Sequence, residues 1–152
     1  KCVALTDVSG LASCAALHTL DLRETSVSDV AGCATLCKLY LGGCVGLTDV
    51  SALAGHAALH TLSLAKCVAL TDVSGLASCA ALHTLDLHET SVSDVTPLAT
   101  SCVLVRDVSA LTGCATLHTL NLSCCDVDDV SPLAGCAALH TLSLYRCDLV
   151  TD

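Results

Sequence analysis

The sequence predicts an α/β solenoid forming one domain over residues 1–152, with a parallel sheet on one face and short 3-10, helical or irregular segments on the other. Three observations lead there. The phrase Leu-His-Thr-Leu-x-Leu recurs from Leu17, Leu59, Leu82, Leu117 and Leu139, and a variant, Leu-Cys-Lys-Leu-Tyr-Leu, starts at Leu36. The chain is 53% hydrophobic, yet it holds no Phe, Trp or Met and only two Tyr. Most of its 13 cysteines keep step with the phrase. Irregular cores use aromatics to fill uneven space. Stacked copies of one layer need only a single packing solution, which Leu, Val, Ala and Cys can supply.

Each element follows from its place in the repeat. Leucines occupy positions one, four and six of the phrase, and its last four residues alternate inward and outward as a strand does. Position nine holds Thr25, Cys44, Cys67, Thr90, Cys125 and Cys147, with Cys2 in the partial repeat before them. A small side chain turned inward there can bond the backbone of the turn leaving the strand. Asp-Val pairs follow, at Asp7, Asp29, Asp49, Asp72, Asp94, Asp107 and Asp129. An Asp ahead of a Ser-x-Leu arc predicts a capped turn or a short 3-10 or helical segment, not a row of catalytic carboxylates. Leu11, Leu53, Leu76, Leu98, Leu111 and Leu133 come next. A second cysteine column then follows, Cys14, Cys33, Cys79, Cys114 and Cys136, with His56 taking the place once. These two columns should plug the far side of the core. L-x-x-L-x-L spacing at a period of roughly 20–29 residues is the pattern of leucine-rich repeats.

The repeat is uneven. Successive phrases are 19, 23, 23, 35 and 22 residues apart. The unit over 17–35 lacks the Ser-x-Leu arc and must close more tightly. In the long interval Leu104 takes the first-leucine place, which predicts a truncated repeat near 104–116, a stunted strand at about 103–105 and a local defect in the sheet. Residues 2–30 and 67–95 match everywhere except Arg23 against His88, the mark of a recent internal duplication. The repeat pattern at both ends predicts a fragment of a longer array, with uncapped ends that tend to stack end to end.

The run from Cys44 to Leu53, followed by Leu59-His60-Thr61-Leu62-Ser63-Leu64, is similar to the internalin-type repeats of bacterial pathogens. It looks still more like the Cys-containing repeats of trypanosomatid leucine-rich-repeat proteins. The resemblance covers nearly the whole chain. It implies a right-handed curved solenoid, a parallel sheet on the concave face and a protein-binding role. Internalins use Asn where this chain has Cys or Thr.

Composition excludes several function classes. The net charge is −9, and Lys1, Arg23, Lys38, Lys66, Arg106 and Arg146 are scattered, so no basic cluster suits nucleic acid. No apolar stretch approaches the roughly 20 residues of a membrane-spanning helix. Lys1 to Asp7 already belong to a repeat, so no leader is visible. An odd cysteine count in repeat register reads as buried free thiols in a reducing compartment. No phosphate-loop, dinucleotide or nucleophile-elbow motif occurs, so neither catalytic residues nor a cofactor is expected.

Outward positions should form ladders across the sheet. They nominate Asp21, Arg23, Glu24, Lys38, Tyr40, Lys66, Asp86, His88, Glu89, Tyr145 and Arg146 as a surface for an unidentified protein or peptide. Position two gives His18, Cys37, His60, His83, His118 and His140. His18, Cys37 and His60 are ligand types that zinc accepts. Parallel strands point such ligands side by side, however, so the main reading is a solvated column.

Overall fold

The computed structural model describes residues 4–31, 35–90, 108–125, 127–148 and 150. Six strands arise where the phrase predicts them: β1 (Thr19–Asp21), β2 (Lys38–Tyr40), β3 (Thr61–Ser63), β4 (Thr84–Asp86), β5 (Thr119–Asn121) and β6 (Thr141–Ser143). They form one open parallel sheet in chain order. The register is constant, so the position-four leucines, Leu20, Leu39, Leu62, Leu85, Leu120 and Leu142, lie opposite one another along the whole sheet.

The opposite face carries 3-10 segments at Ser9–Leu11, Ser51–Leu53, Ser74–Ser78, Ser109–Gly113 and Ser131–Gly135. Each is set off by the preceding Asp where that residue is described. The carboxylate of Asp7 accepts the Ser9 N–H at 2.7 Å, Asp49 that of Ser51 at 3.0 Å, Asp72 that of Ser74 at 2.7 Å and Asp129 that of Ser131 at 2.7 Å. These carboxylates satisfy an amide that the short segment leaves without an internal partner. Asp29 does the same for Ala31 at 2.9 Å; the tighter closure expected after it falls on residues 32–34, outside the described residues.

The leucines of positions one, four and six fill the interior, and in the central layers they are 0–1% exposed. Val50, Val73 and Val108 of the Asp-Val pairs and Leu53, Leu76 and Leu111 close it from the 3-10 side. Cys79, Cys114 and Cys136 are buried there as expected, and so is His56. Cys14, in the outermost described layer, is exposed instead.

The position-nine column does more than fill space. Thr25 and Thr90 donate to the carbonyl at position six of their own layer, Leu22 and Leu87, both at 2.8 Å. The cysteines donate to the layer before. The Cys44 thiol reaches the Leu22 oxygen at 3.3 Å, Cys67 that of Leu41 at 3.1 Å, Cys125 that of Leu87 at 3.1 Å and Cys147 that of Leu122 at 3.0 Å. The second column repeats the device, with Cys136 on the Leu111 oxygen at 3.2 Å. Both columns thus tie consecutive layers together as well as packing between them.

The stunted strand expected at 103–105 lies outside the described residues. The local defect expected there does not interrupt the pairing of β4 with β5. Thr84 pairs with Thr119 and Asp86 with Asn121 in the common register, and the amides of His118 and Thr119 bond the His83 carbonyl at 2.9 and 3.0 Å. The long interval is therefore accommodated without a gap in the strand ladder.

Candidate binding face

Two kinds of position build the outer face of the sheet. Position-five side chains, Asp21, Tyr40, Ser63, Asp86, Asn121 and Ser143, close the strands. Positions seven and eight belong to the turn beyond. Position eight takes left-handed backbone in each of the six described layers: Glu24 (φ 56°), Gly43 (φ 75°), Lys66 (φ 63°), Glu89 (φ 52°), Cys124 (φ 59°) and Arg146 (φ 57°). This turn sends the chain off the sheet toward position nine and raises the position-eight side chains along the rim.

Four of the nominated residues, Asp21, Arg23, Glu24 and Lys66, converge on one cleft. Its volume is about 740 Å³, and Asp21, Arg23, Glu24, Ser63, Ala65 and Lys66 line it around Gly42 and Gly43. The glycine pair makes the opening. A Cβ on Gly42 would stand 3.3 Å from the Ala65 oxygen and 3.7 Å from Cγ of Arg23, and one on Gly43 would stand 3.3 Å from Cγ of Glu24. Arg23 spans this gap. Its Nε donates to Asp21 Oδ1 at 2.9 Å, its Nη2 donates to Asp21 Oδ2 at 2.6 Å, and its guanidinium carbon lies 5.8 Å from the centre of the Tyr40 ring. These bonds hold the Asp21 carboxyl below the usual carboxylate range.

The duplicated surface around β4 is wired differently. His88 replaces Arg23 and its Nε2 meets Glu89 Oε1 at 3.0 Å, while Lys66 Nζ lies 3.7 Å from Glu89 Oε2. Asp86 keeps only the backbone bond, accepting the His88 N–H at 3.1 Å as Asp21 accepts that of Arg23 at 3.1 Å. His88 Nδ1 is buried without a partner. One residue change therefore replaces an Arg–Asp clamp with a His–Glu contact. Lys38 stands at the start of β2, exposed among the threonines of position three. Tyr145 (70% exposed) and Arg146 lie at the far end of the sheet beyond β6, away from the cleft. Sequence reasoning omitted Gly42, Gly43 and Ser63 from the site. A Gly-Gly pair at two columns that otherwise carry side chains was the available signal.

The position-two histidines form an ordered stack. Ring centres are 5.2 Å apart for His60–His83, 5.1 Å for His83–His118 and 5.3 Å for His118–His140, with the last two pairs within 7° of parallel. Nδ1 of His83 lies 2.6 Å from the Ala81 oxygen, and Nδ1 of His118 lies 2.6 Å from that of Thr116. His18 and His140 make the same contact with Ala16 and Ala138. A carbonyl only accepts, so Nδ1 carries the proton in the neutral ring and Nε2 keeps its lone pair. Cys37 separates His18 from His60 in the column. Stacked rings present donors side by side, whereas tetrahedral coordination needs them to converge. Among the described residues no group of three His, Cys, Asp or Glu is placed to hold a metal ion.

No family model and no curated protein matches the sequence. Solved structures do. An internalin from Listeria monocytogenes superposes with a TM-score of 0.64 at 26% identity, over 97% of this chain and 46% of the internalin. That likeness, with the constant register and the leucine columns, decides the architecture. The fold is a leucine-rich-repeat solenoid. Internalin C2 from the same species is also similar (TM-score 0.49, 22% identity, 91% of this chain and 66% of that one). This solenoid spans less than half the length of the first of these structures. No helix among the described residues is long and apolar enough to cross a membrane.

Proposed function

We propose that the solenoid is a protein-interaction module that binds a protein or peptide on its concave sheet face and performs no catalysis. The observation carrying this reading is the cleft at Gly42–Gly43. It offers an absence of side chains beside paired charges of both signs and an Arg23–Tyr40 contact. Arg and Tyr are frequent binding anchors, and a recess beside them can receive a partner's side chain. The likeness to internalins supports a binding role, because a repeat array offers a surface and not a reaction centre.

Affinity capture read by mass spectrometry tests it. The unmutated bait is run beside a folded variant carrying Arg23→Ala and Tyr40→Ala, and another carrying Lys38→Ala, Asp86→Ala and His88→Ala. A partner whose affinity falls by roughly 30-fold or more in one of them supports the module. A second reading, a passive structural array, is favoured by the near-identity of residues 2–30 and 67–95, which leaves one outward residue to distinguish the copies. Identical capture lists from all the folded baits would select it.

A further inference from the structure

We infer that the backbone amides of Gly42 and Ala65 form a carboxylate-binding site in the cleft, which takes an aspartate side chain or the free C-terminus of a partner peptide. This rests on the reading of the concave face as a peptide-binding surface. Its basis is a regularity of the turns. Where position five is Asp or Asn, its side-chain oxygen accepts the N–H at position seven of the same layer. Asp21 accepts that of Arg23 at 3.1 Å, Asp86 that of His88 at 3.1 Å and Asn121 that of Ser123 at 3.0 Å. Position five is Tyr40 in β2 and Ser63 in β3. There the position-seven amides, Gly42 and Ala65, have no acceptor among the described residues.

Both amides face the cleft. The register is constant from β1 to β4, and position eight keeps the same left-handed backbone in these layers, with φ between 52° and 75°. The Gly42 and Ala65 N–H groups therefore point outward, as those of Arg23 and His88 do. The Gly43 N–H bonds the Ala65 oxygen at 2.8 Å, which holds the two turns side by side, about one strand spacing apart. Neighbouring rungs thus offer one amide to each oxygen of a single carboxylate. Position seven carries the long Arg23 and His88 in the flanking layers but only a hydrogen and a methyl here, so the way in is open. Both residues are part-exposed.

The surrounding side chains suit an anion held at short range. The Ser63 hydroxyl lines the same cleft and adds a donor, and Arg23 and Lys66 bring positive charge to it. Two carboxylates line it as well. Arg23 takes up the charge of Asp21 through its bonds at 2.9 and 2.6 Å, and Glu24 stands beside Gly43. The net charge of −9 repels anions at long range, so the site relies on contact. Charge-assisted bonds from backbone N–H to carboxylate are shorter and stronger than neutral ones. Asp21 and Asp86 already seat a carboxylate on this amide in the two flanking layers, so the ligand would copy a geometry that the fold makes twice.

Proton–nitrogen NMR of the 152-residue chain tests this with three peptides. Acetyl-Gly-Asp-Gly-amide offers a side-chain carboxylate, acetyl-triglycine a terminal one, and acetyl-Gly-Asn-Gly-amide none. The carboxylate peptides should move the Gly42 and Ala65 amide signals saturably and leave those of Arg23, His88 and Ser123 in place. The tighter of the two names the source, and the Asn peptide should bind about tenfold more weakly. Ser63→Asn gives Ala65 the acceptor that Asn121 gives Ser123, with no change of charge. It should silence the Ala65 response and weaken carboxylate binding by about tenfold. Ser63→Ala, which removes the hydroxyl without supplying an acceptor, should keep that response. Tyr40→Asn repeats the test at Gly42, and circular dichroism checks that each variant folds. Signals at Gly42 and Ala65 that neither carboxylate moves overturn the site. So does an Ala65 response that survives in folded Ser63→Asn, or an Asn peptide that binds as well as the Asp peptide. The wider reading is judged apart from this: a captured partner that needs Arg23 and Tyr40 upholds the module even where these amides stay still.

Discussion

A thiol in this solenoid is a small core residue that also donates a hydrogen bond. Burial pushes the Cys67 thiol up to about 12 and those of Cys114 and Cys125 up to about 11, since an ionised sulfur there would lose its water. Because the thiolate is the reactive form, the native protein treated with iodoacetamide at pH 8 should label Cys14, Cys37 and Cys124 while sparing Cys44, Cys67, Cys79, Cys114 and Cys125. Peptide mass spectrometry reads this, and labelling of Cys67 as fast as Cys14 would refute the buried column. The same raised values have a sign for stability. Between the ordinary cysteine range and pH 11–12 the folded chain holds protons that the unfolded chain has released, so stability falls as pH rises through that window. The histidines give a second residue-level test. Nitrogen NMR of the neutral protein should find the Nδ1–H tautomer at His83, His118 and His140, each fixed by its carbonyl, and an Nε2–H signal at these sites would contradict that geometry. Both columns were legible in the sequence as columns. The carbonyl each donor meets was not, because it depends on the offset between neighbouring layers and not on spacing along the chain.

At the scale of one element, the recurring turn after each strand demands a left-handed residue, and among the described layers only one supplies glycine, at Gly43. The remaining layers place Glu, Lys, Cys or Arg there, against a cost of about 1 kcal/mol for a side chain at positive φ. Cys124→Gly should therefore leave thermal unfolding unchanged or raise stability by up to about 1 kcal/mol. A clear loss would show that the turn is held by the side chain. The 3-10 segments carry the opposite constraint. A Cβ on Gly75 would lie 2.1 Å from the Val50 oxygen and 2.9 Å from the Ser51 Cα, both backbone, so Gly75→Ala forces two layers apart and should cost about 3 kcal/mol. Gly10, its duplicate in the first unit, has nothing within 4 Å of that point, and Gly10→Ala should be nearly neutral in the same denaturant titration. The sequence located these turns and 3-10 segments from Asp-Val, Ser-x-Leu and the leucine columns. It could not separate Gly10 from Gly75, which sit in identical stretches of chain. Their difference lies wholly in whether another layer packs against them.

The whole molecule extends that contrast into a gradient along its length. Each layer touches only its neighbours, so stability is close to a sum of layer and joint terms. Central layers own two joints and the outer described layers own one. The consequence is visible in one column: Leu39, Leu62 and Leu120 are fully buried, Leu20 is part-exposed and Leu142 is 39% exposed, although all five occupy the same repeat position. Leu62→Ala should cost about 3–4 kcal/mol, the transfer of a buried side chain plus the cavity it leaves. Leu142→Ala in dilute protein should cost about 1 kcal/mol, because water already reaches the site and no sealed cavity forms. Amide hydrogen exchange should follow the same order, with β3 and β4 protected longest and β1 and β6 opening first. Uniform protection across the sheet would mean that the layers unfold as one unit and that the one-dimensional description fails.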